Sequence, residues 1–246
     1  MPKARESAQK ALANDEELAE AHTSLGYVLS GYDYDFVAAE REFKRALELN
    51  PNYATARQYY GELLTHRGRP DEAFAQFRRA LEIEPLSLTI NRMYGECLFF
   101  SRRYDESIAQ LKKTVELDQN FARAHYSLST AYQLKGNYPD SVDEFAKFQE
   151  LTGNFQNATM IRDSFAKGGW QGFLRTITGE KRPADLSSSI AARFLAELGE
   201  KDQAFAELNK AYTNREYFLV WLKVDPRLDA LRSDQRFADL LRRVGS

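Results

Sequence analysis

The chain is poor in the residues that most often carry chemistry or covalent bracing. Its 246 residues include one cysteine, three histidines, three methionines and two tryptophans. A lone Cys97 excludes an internal disulfide framework and any cysteine-ligated zinc site, and is expected to be a buried, inert thiol. His22, His66 and His125 stand far apart with no second ligand at helical spacing, so no metal site is expected. The sequence has no G-x-S-x-G, no P-loop and no H-E-x-x-H, and no catalytic residue is assigned. Charge of one sign is lacking as well. With 34 Lys and Arg against 36 Asp and Glu, the net charge of −2 sets up no field favouring nucleic acid or an anionic membrane. No stretch approaches roughly 18 consecutive apolar residues, and the opening Met-Pro-Lys-Ala-Arg-Glu has no apolar leader core. A soluble chain is expected, with the cytoplasm favoured as its location, and nothing calls for a cofactor.

What the sequence does contain is a period. Ala46-Leu47-Glu48-Leu49-Asn50-Pro51 returns 34 residues later as Ala80-Leu81-Glu82-Ile83-Glu84-Pro85. Thr114-Val115-Glu116-Leu117-Asp118-Gln119 follows after the same interval, and 148–153 holds the register in worn form. Small residues recur at Gly26, Gly61, Gly95 and Ser129, and bulky ones at Phe43, Phe77, Leu111 and Phe145. Each unit therefore predicts a helix A, a turn, a helix B and a stop, with small positions letting the two helices approach closely. Gly68 and Gly136 are expected to close helix A, and the Asp residues that follow, Asp71 and Asp140, to cap helix B. Unit one carries one extra residue within Ser30-Gly31-Tyr32-Asp33-Tyr34-Asp35-Phe36. Its aromatics are expected to pack over the turn and its aspartates to cap the next helix; a loop projecting toward a partner is the other reading.

These positions resemble the W-x₂-L-G-x₂-Y…A-x₃-F…P signature of the tetratricopeptide repeat, in four consecutive units. The consensus Trp is His22, Arg57, Asn91 and His125 here, which predicts looser packing at those helix starts, with the two imidazoles filling a slot. The resemblance implies an all-α, right-handed superhelical array of antiparallel helix hairpins and a non-catalytic protein-interaction module. The expected divisions are 1–17 as helix B of a preceding, truncated repeat, so that the chain starts part-way through a longer protein, and 18–153 as four repeats. A degenerate hairpin at 154–184, broken at Gly168-Gly169, a further repeat-like unit at 185–216 and capping helices at 217–246 complete the array. Ser233 is expected to cap the last helix. Tyr32-Asp33-Tyr34-Asp35-Phe36, Gly168-Gly169-Trp170 and 223–232 are similar to stretches in the C-terminal repeat regions of bacterial multidomain signalling proteins. Those proteins carry winged-helix, serine/threonine kinase or cyclase domains, and the likeness implies a regulatory role for this chain.

Function then rests on surfaces. The helix A residues that the core does not need define a candidate groove of Tyr27, Gln58, Glu62, His66, Arg92, Glu96, Phe100, Arg123, Tyr126 and Thr130, with Glu20, Thr23 and Gln133 at its margins. Aromatics there can anchor an extended peptide or helix while arginines read acidic groups. Repeat domains that hold a chaperone's C-terminal carboxylate use Lys and Asn where this chain has Thr23, Tyr27 and Gln58, which disfavours that ligand. Two alternatives stand beside the groove: a small-molecule sensor with its pocket near Trp170, and self-association through the alanine face of residues 2–13. The partner expected is a protein or peptide, with no nucleic acid bound by this region and no membrane segment.

Overall fold

The computed structural model describes residues 2–180, 182–183 and 186–245, so the boundary expected at 184/185 lies outside the described residues. The described chain is helical throughout, with no strand. After α1 (Pro2–Asn14), four A/B hairpins follow: α2 (Ala19–Val28) with α3 (Phe36–Leu49), α4 (Ala54–His66) with α5 (Pro70–Ile83), α6 (Leu88–Phe100) with α7 (Tyr104–Leu117), and α8 (Ala122–Lys135) with α9 (Tyr138–Leu151). Next come α10 (Phe155–Thr178), α11 (Ser188–Leu198) and α12 (Lys201–Thr213). Two 3-10 segments, Tyr217–Trp221 and Pro226–Leu231, lead into α13 (Gln235–Arg243).

The small positions are small because the facing side chain leaves no room. A Cβ added to Gly26, Gly61 or Gly95 would lie 2.8 Å from Phe43, 2.9 Å from Phe77 or 2.6 Å from Leu111. Phe43, Phe77 and Leu111 are themselves fully buried, so they cannot swing aside.

Helix A ends on a left-handed residue in every repeat: Tyr34, Gly68, Arg102 and Gly136 all have positive φ, at the 34-residue interval. The period is therefore intact at 34, and the extra residue of unit one lies before it. It is absorbed by a π-helical turn, Leu29–Asp33, so no loop projects. Asp35 then caps α3 by accepting from the Ala38 N–H at 2.9 Å, as its sequence setting suggests. The other cap assignments shift. Asp71 and Asp140 sit inside the first turn of α5 and α9, while Arg69 and Asn137 occupy the cap positions without a side-chain bond to the helix backbone. Asp234, not Ser233, caps α13, accepting from Arg236 N. With a Pro at the first or second helical position, the helix starts two residues earlier than expected in α5 and three earlier in α9.

The positions of the missing tryptophans are polar brackets, not loosely filled slots. Each side chain binds the carbonyl six residues back and a helix B side chain ahead. His22 reaches Glu16 O at 3.0 Å and Glu42 at 2.6 Å; Arg57 donates to Pro51 O at 2.7 Å and Gln76 at 2.9 Å. Asn91 donates to Pro85 O at 3.0 Å and accepts from Gln110 at 2.7 Å; His125 reaches Gln119 O at 2.9 Å and Glu144 at 2.6 Å. A side chain of one of three kinds, His, Arg or Asn, thus ties each inter-repeat turn to its own hairpin.

Cys97 is buried, accepts from Thr65 Oγ1 at 3.1 Å, and burial pushes its thiol up to about 12. Of the alanine face of α1, Ala4 is exposed, Ala11 half-buried and Ala8 buried. α10 is two helical stretches that meet at Gly169, whose φ of 57° and ψ of −156° no L-residue adopts readily, and the turn places Gly172 beside the Ser164 carbonyl. The tail does not simply cap the end of the array. Leu219, Val220, Trp221 and Leu222, each no more than 2% exposed, fold back and join the core of the first repeats to that of α11–α13.

Candidate partner-binding site

Helices α2, α4, α6 and α8 present their free faces to one side, and seven of the ten groove residues expected from the sequence meet there. Tyr27 comes from the first repeat, Gln58 and Glu62 from the second, Arg92 and Glu96 from the third, and Arg123 and Tyr126 from the fourth. They line one trough of about 410 Å³. Glu20 is exposed outside it, Thr23 is buried with its hydroxyl on Ala19 O, and Gln133 donates to Glu197.

The remaining three are covered, which corrects the expectation of a groove open along its length. Trp221 stacks on Phe100 with ring centroids 4.3 Å apart and meets His66 edge-on at 3.9 Å. Thr130 accepts from Arg227 Nη1 at 3.3 Å. The cause is the apolar run 218–222, which gains more by lying on the aromatic faces of α4 and α6 than by facing water. The same return adds Tyr217, Phe218 and Trp221 to the trough's wall, together with Tyr59, Thr89, Met93 and Ser127 from helices A. Sequence reasoning missed these. The signal was present in Phe218-Leu219-Val220-Trp221-Leu222, which is too apolar for a solvated cap.

The polar groups of the trough are unevenly satisfied. Glu96 is held by Arg92 Nη1 and the Ser127 hydroxyl. Glu62 accepts from Gln58 Nε2 at 2.9 Å and from the Tyr217 hydroxyl at 3.0 Å. Burial raises the Glu62 carboxyl above its usual range, lifts Tyr27 to about 12 and pushes Tyr217 well above the ordinary phenol value. Arg92 Nε is buried with no partner, and the exposed Arg123 guanidinium forms no ion pair or hydrogen bond among the described residues.

Behind Tyr126 and Phe218 lies the clasp that fixes the returning segment. Asp225, fully enclosed, receives Arg193 Nε at 2.8 Å and Arg227 Nη2 at 2.8 Å. Burial works against its charge, but Arg227 and Arg193 outweigh this and hold the carboxyl at about 2.

Trp170 lies half-buried, stacked on Tyr138 at 4.5 Å and on Phe173 at 4.8 Å, with its Nε1 donating to Glu197 at 2.7 Å. The space beside it measures about 10 Å³, room for about one water. A hollow of about 510 Å³ on the hairpin is lined by polar side chains and Met160. Among the described residues no cluster of His, Cys, Asp or Glu could hold a metal ion, and no helix is long and apolar enough to cross a membrane.

Comparison with solved structures places the same architecture elsewhere. The chain is similar to MamA (residues 41 to the end) from Desulfovibrio magneticus RS-1, at 18% identity and a TM-score of 0.50, covering 61% of this chain and 94% of that one. It is similar to an O-GlcNAc transferase mutant from Thermobaculum terrenum at 23% identity and a TM-score of 0.50. That match covers 54% of this chain but only 26% of the transferase, so it concerns a part of that enzyme. A third structure, YrrB, described as a TPR protein with an unusual peptide-binding site, aligns over 96% of this chain and 97% of its own at 17% identity and a TM-score of 0.48. At these identities the likeness is one of fold. No curated protein matches the sequence. Two family profiles described as tetratricopeptide repeat match residues 35–87 and 64–132. Residues 35–132 thus match tetratricopeptide repeats, and the hairpins α2–α9 keep one interval and closing residue throughout.

Proposed function

We propose that this chain is a non-catalytic interaction module that receives a segment of a partner protein in the trough across α2, α4, α6 and α8. The observation that carries the reading is the meeting of seven side chains from four consecutive repeats around one cavity of about 410 Å³. That volume falls within the roughly 300–1,000 Å³ typical of binding clefts. The aromatic walls offer anchor area, and the arginines fix orientation. The half-filled groove suits a short segment lying across the A helices, because the C-terminal return blocks deeper threading past Phe100 and His66. The resemblance to the repeat regions of bacterial signalling proteins supports a regulatory setting for this binding.

Thr89 is exposed and lines the trough, so Thr89→Trp fills it with little effect on the core. Proteins captured on the immobilised chain and identified by mass spectrometry are expected to be lost with Thr89→Trp while its melting temperature stays unchanged. Equal capture by both forms sinks the assignment.

A further inference from the structure

We infer that the trough selects a partner segment presenting a carboxylate side chain beside a bulky apolar one. The inference rests on the trough being the partner site and adds its chemistry.

Unspent hydrogen-bonding capacity decides the sign of the ligand. Both carboxylates in the trough are already engaged by two donors each: Glu96 by Arg92 and Ser127, Glu62 by Gln58 and Tyr217. A lysine or arginine arriving there would have to displace these donors and would face two guanidiniums. The cations, by contrast, keep donors free. Arg92 Nε is buried without an acceptor, and every donor of Arg123 is available at the exposed edge. The exposed Arg123 guanidinium is the group that an incoming acceptor reaches first.

The layer behind the wall acts in the same direction. The Arg193 guanidinium lies 5.1 Å from the centre of the Phe218 ring, its Nη1 has no partner, and it shares the single carboxylate of Asp225 with Arg227. Four guanidiniums, those of Arg92, Arg123, Arg193 and Arg227, therefore surround three carboxylates, and burial disfavours ionisation of one of these, Glu62. The local field is positive although the chain as a whole carries −2. Between the charged groups, the rings of Tyr27, Tyr126, Phe218 and Trp221 leave apolar surface for a neighbouring large side chain. A guanidinium–carboxylate pair formed in such a partly enclosed site is stronger and more directional than one in open water.

The test titrates the whole chain with three fluorescein-labelled dodecapeptides of matched design, in which Phe alternates with Glu, Gln or Lys, and follows fluorescence anisotropy. The Glu peptide is expected to bind at least about tenfold more tightly than the Gln peptide, and the Lys peptide not measurably. Arg123→Gln, a change at an exposed and unpaired side chain, is expected to remove most of that preference, and Arg92→Gln plus Arg123→Gln all of it. Arg175→Gln, exposed on α10, is expected to leave it intact. Equal binding of the Glu and Gln peptides, or preference for Lys, overturns the inference while leaving the partner site standing. Absence of binding by all three overturns both. A melting shift with 3-phenylpropionate without any peptide binding assigns the trough to a small organic acid and also overturns the inference.

Discussion

The indole of Trp221 lies flat on the ring of Phe100, centroids 4.3 Å apart and planes 9° apart, and joins the tail of the chain to its third repeat. Trp221 is 2% exposed, and its removal would leave a large void between Phe100, His66 and the returning segment. Trp221→Ala is expected to cost about 3–5 kcal/mol, measured by urea unfolding. A loss under about 1 kcal/mol would show that the segment does not pack on the groove in solution.

Asp225 binds the same segment by charge. With Asp225→Asn, Arg193 and Arg227 would remain buried without a counter-charge, at a cost of about 3–5 kcal/mol. The native carboxyl sits at about 2, below the 3.8 of an unperturbed aspartate. A depressed acid contributes stability that is present above the unfolded value and lost as pH falls through the folded one. Wild type should therefore weaken between about pH 4 and 2, and Asp225→Asn should flatten that limb of the stability curve. An unchanged acid limb in the variant would place the acid sensitivity elsewhere.

Two histidines should respond to pH in opposite directions. His66 is enclosed with both ring nitrogens unpartnered, and burial holds it at about 3, below the 6.5 of a free imidazole. Between those values the unfolded chain takes up a proton that the folded chain refuses, so His66 lowers stability as pH falls. For His125, burial opposes the charge, but Glu144 and the Gln119 carbonyl outweigh it and raise the pKa above 6.5. Its contribution is complete below 6.5 and lost as pH rises through the folded value. His66→Leu is expected to gain about 1 kcal/mol at neutral pH and to reduce the loss in acid. His125→Asn, the side chain that Asn91 uses in the same bracket, should flatten the decline above pH 6.5. Chemical denaturation across about pH 4–8 reads both, and slopes of the same sign for the two positions would contradict this account.

The repeat was legible because its determinants are local. A small residue opposite a buried bulky one recurs at fixed spacing, which a sequence displays, and Gly68 and Gly136 mark two helix A ends, whereas the left-handed Tyr34 and Arg102 carry no such mark. Seven of the ten groove residues were legible for the same reason, since helix register fixes which side chains share a face. His66, Phe100 and Thr130 were misplaced because their fate depends on a segment far away in the chain. Nothing in the period of α4 or α6 says that Trp221 will settle on them. The brackets were hidden differently. His22, Arg57, Asn91 and His125 are three residue types of different chemistry, and only their partners Glu42, Gln76, Gln110 and Glu144, themselves 34 residues apart, show that all four serve one purpose.

The close contact between α6 and α7 gives a test by contrast. Alanine is favoured over glycine inside a helix by about 1 kcal/mol, so on propensity alone both Gly95→Ala and Gly168→Ala should stabilise. At Gly95 the new methyl would lie 2.6 Å from the Leu111 Cγ, and Leu111 is fully enclosed with nowhere to move. Overpacking of this kind costs about 1–3 kcal/mol and should exceed the propensity gain, leaving the variant less stable and the pair α6–α7 forced apart. At Gly168, in the last turn before the break at Gly169, the new methyl would meet no atom within 4 Å, so part of the propensity gain should survive. Thermal melts of the two variants are expected to move in opposite directions. Stabilisation by Gly95→Ala would show that the α6–α7 interface has slack, and the requirement for a small residue in helix A would then need another cause.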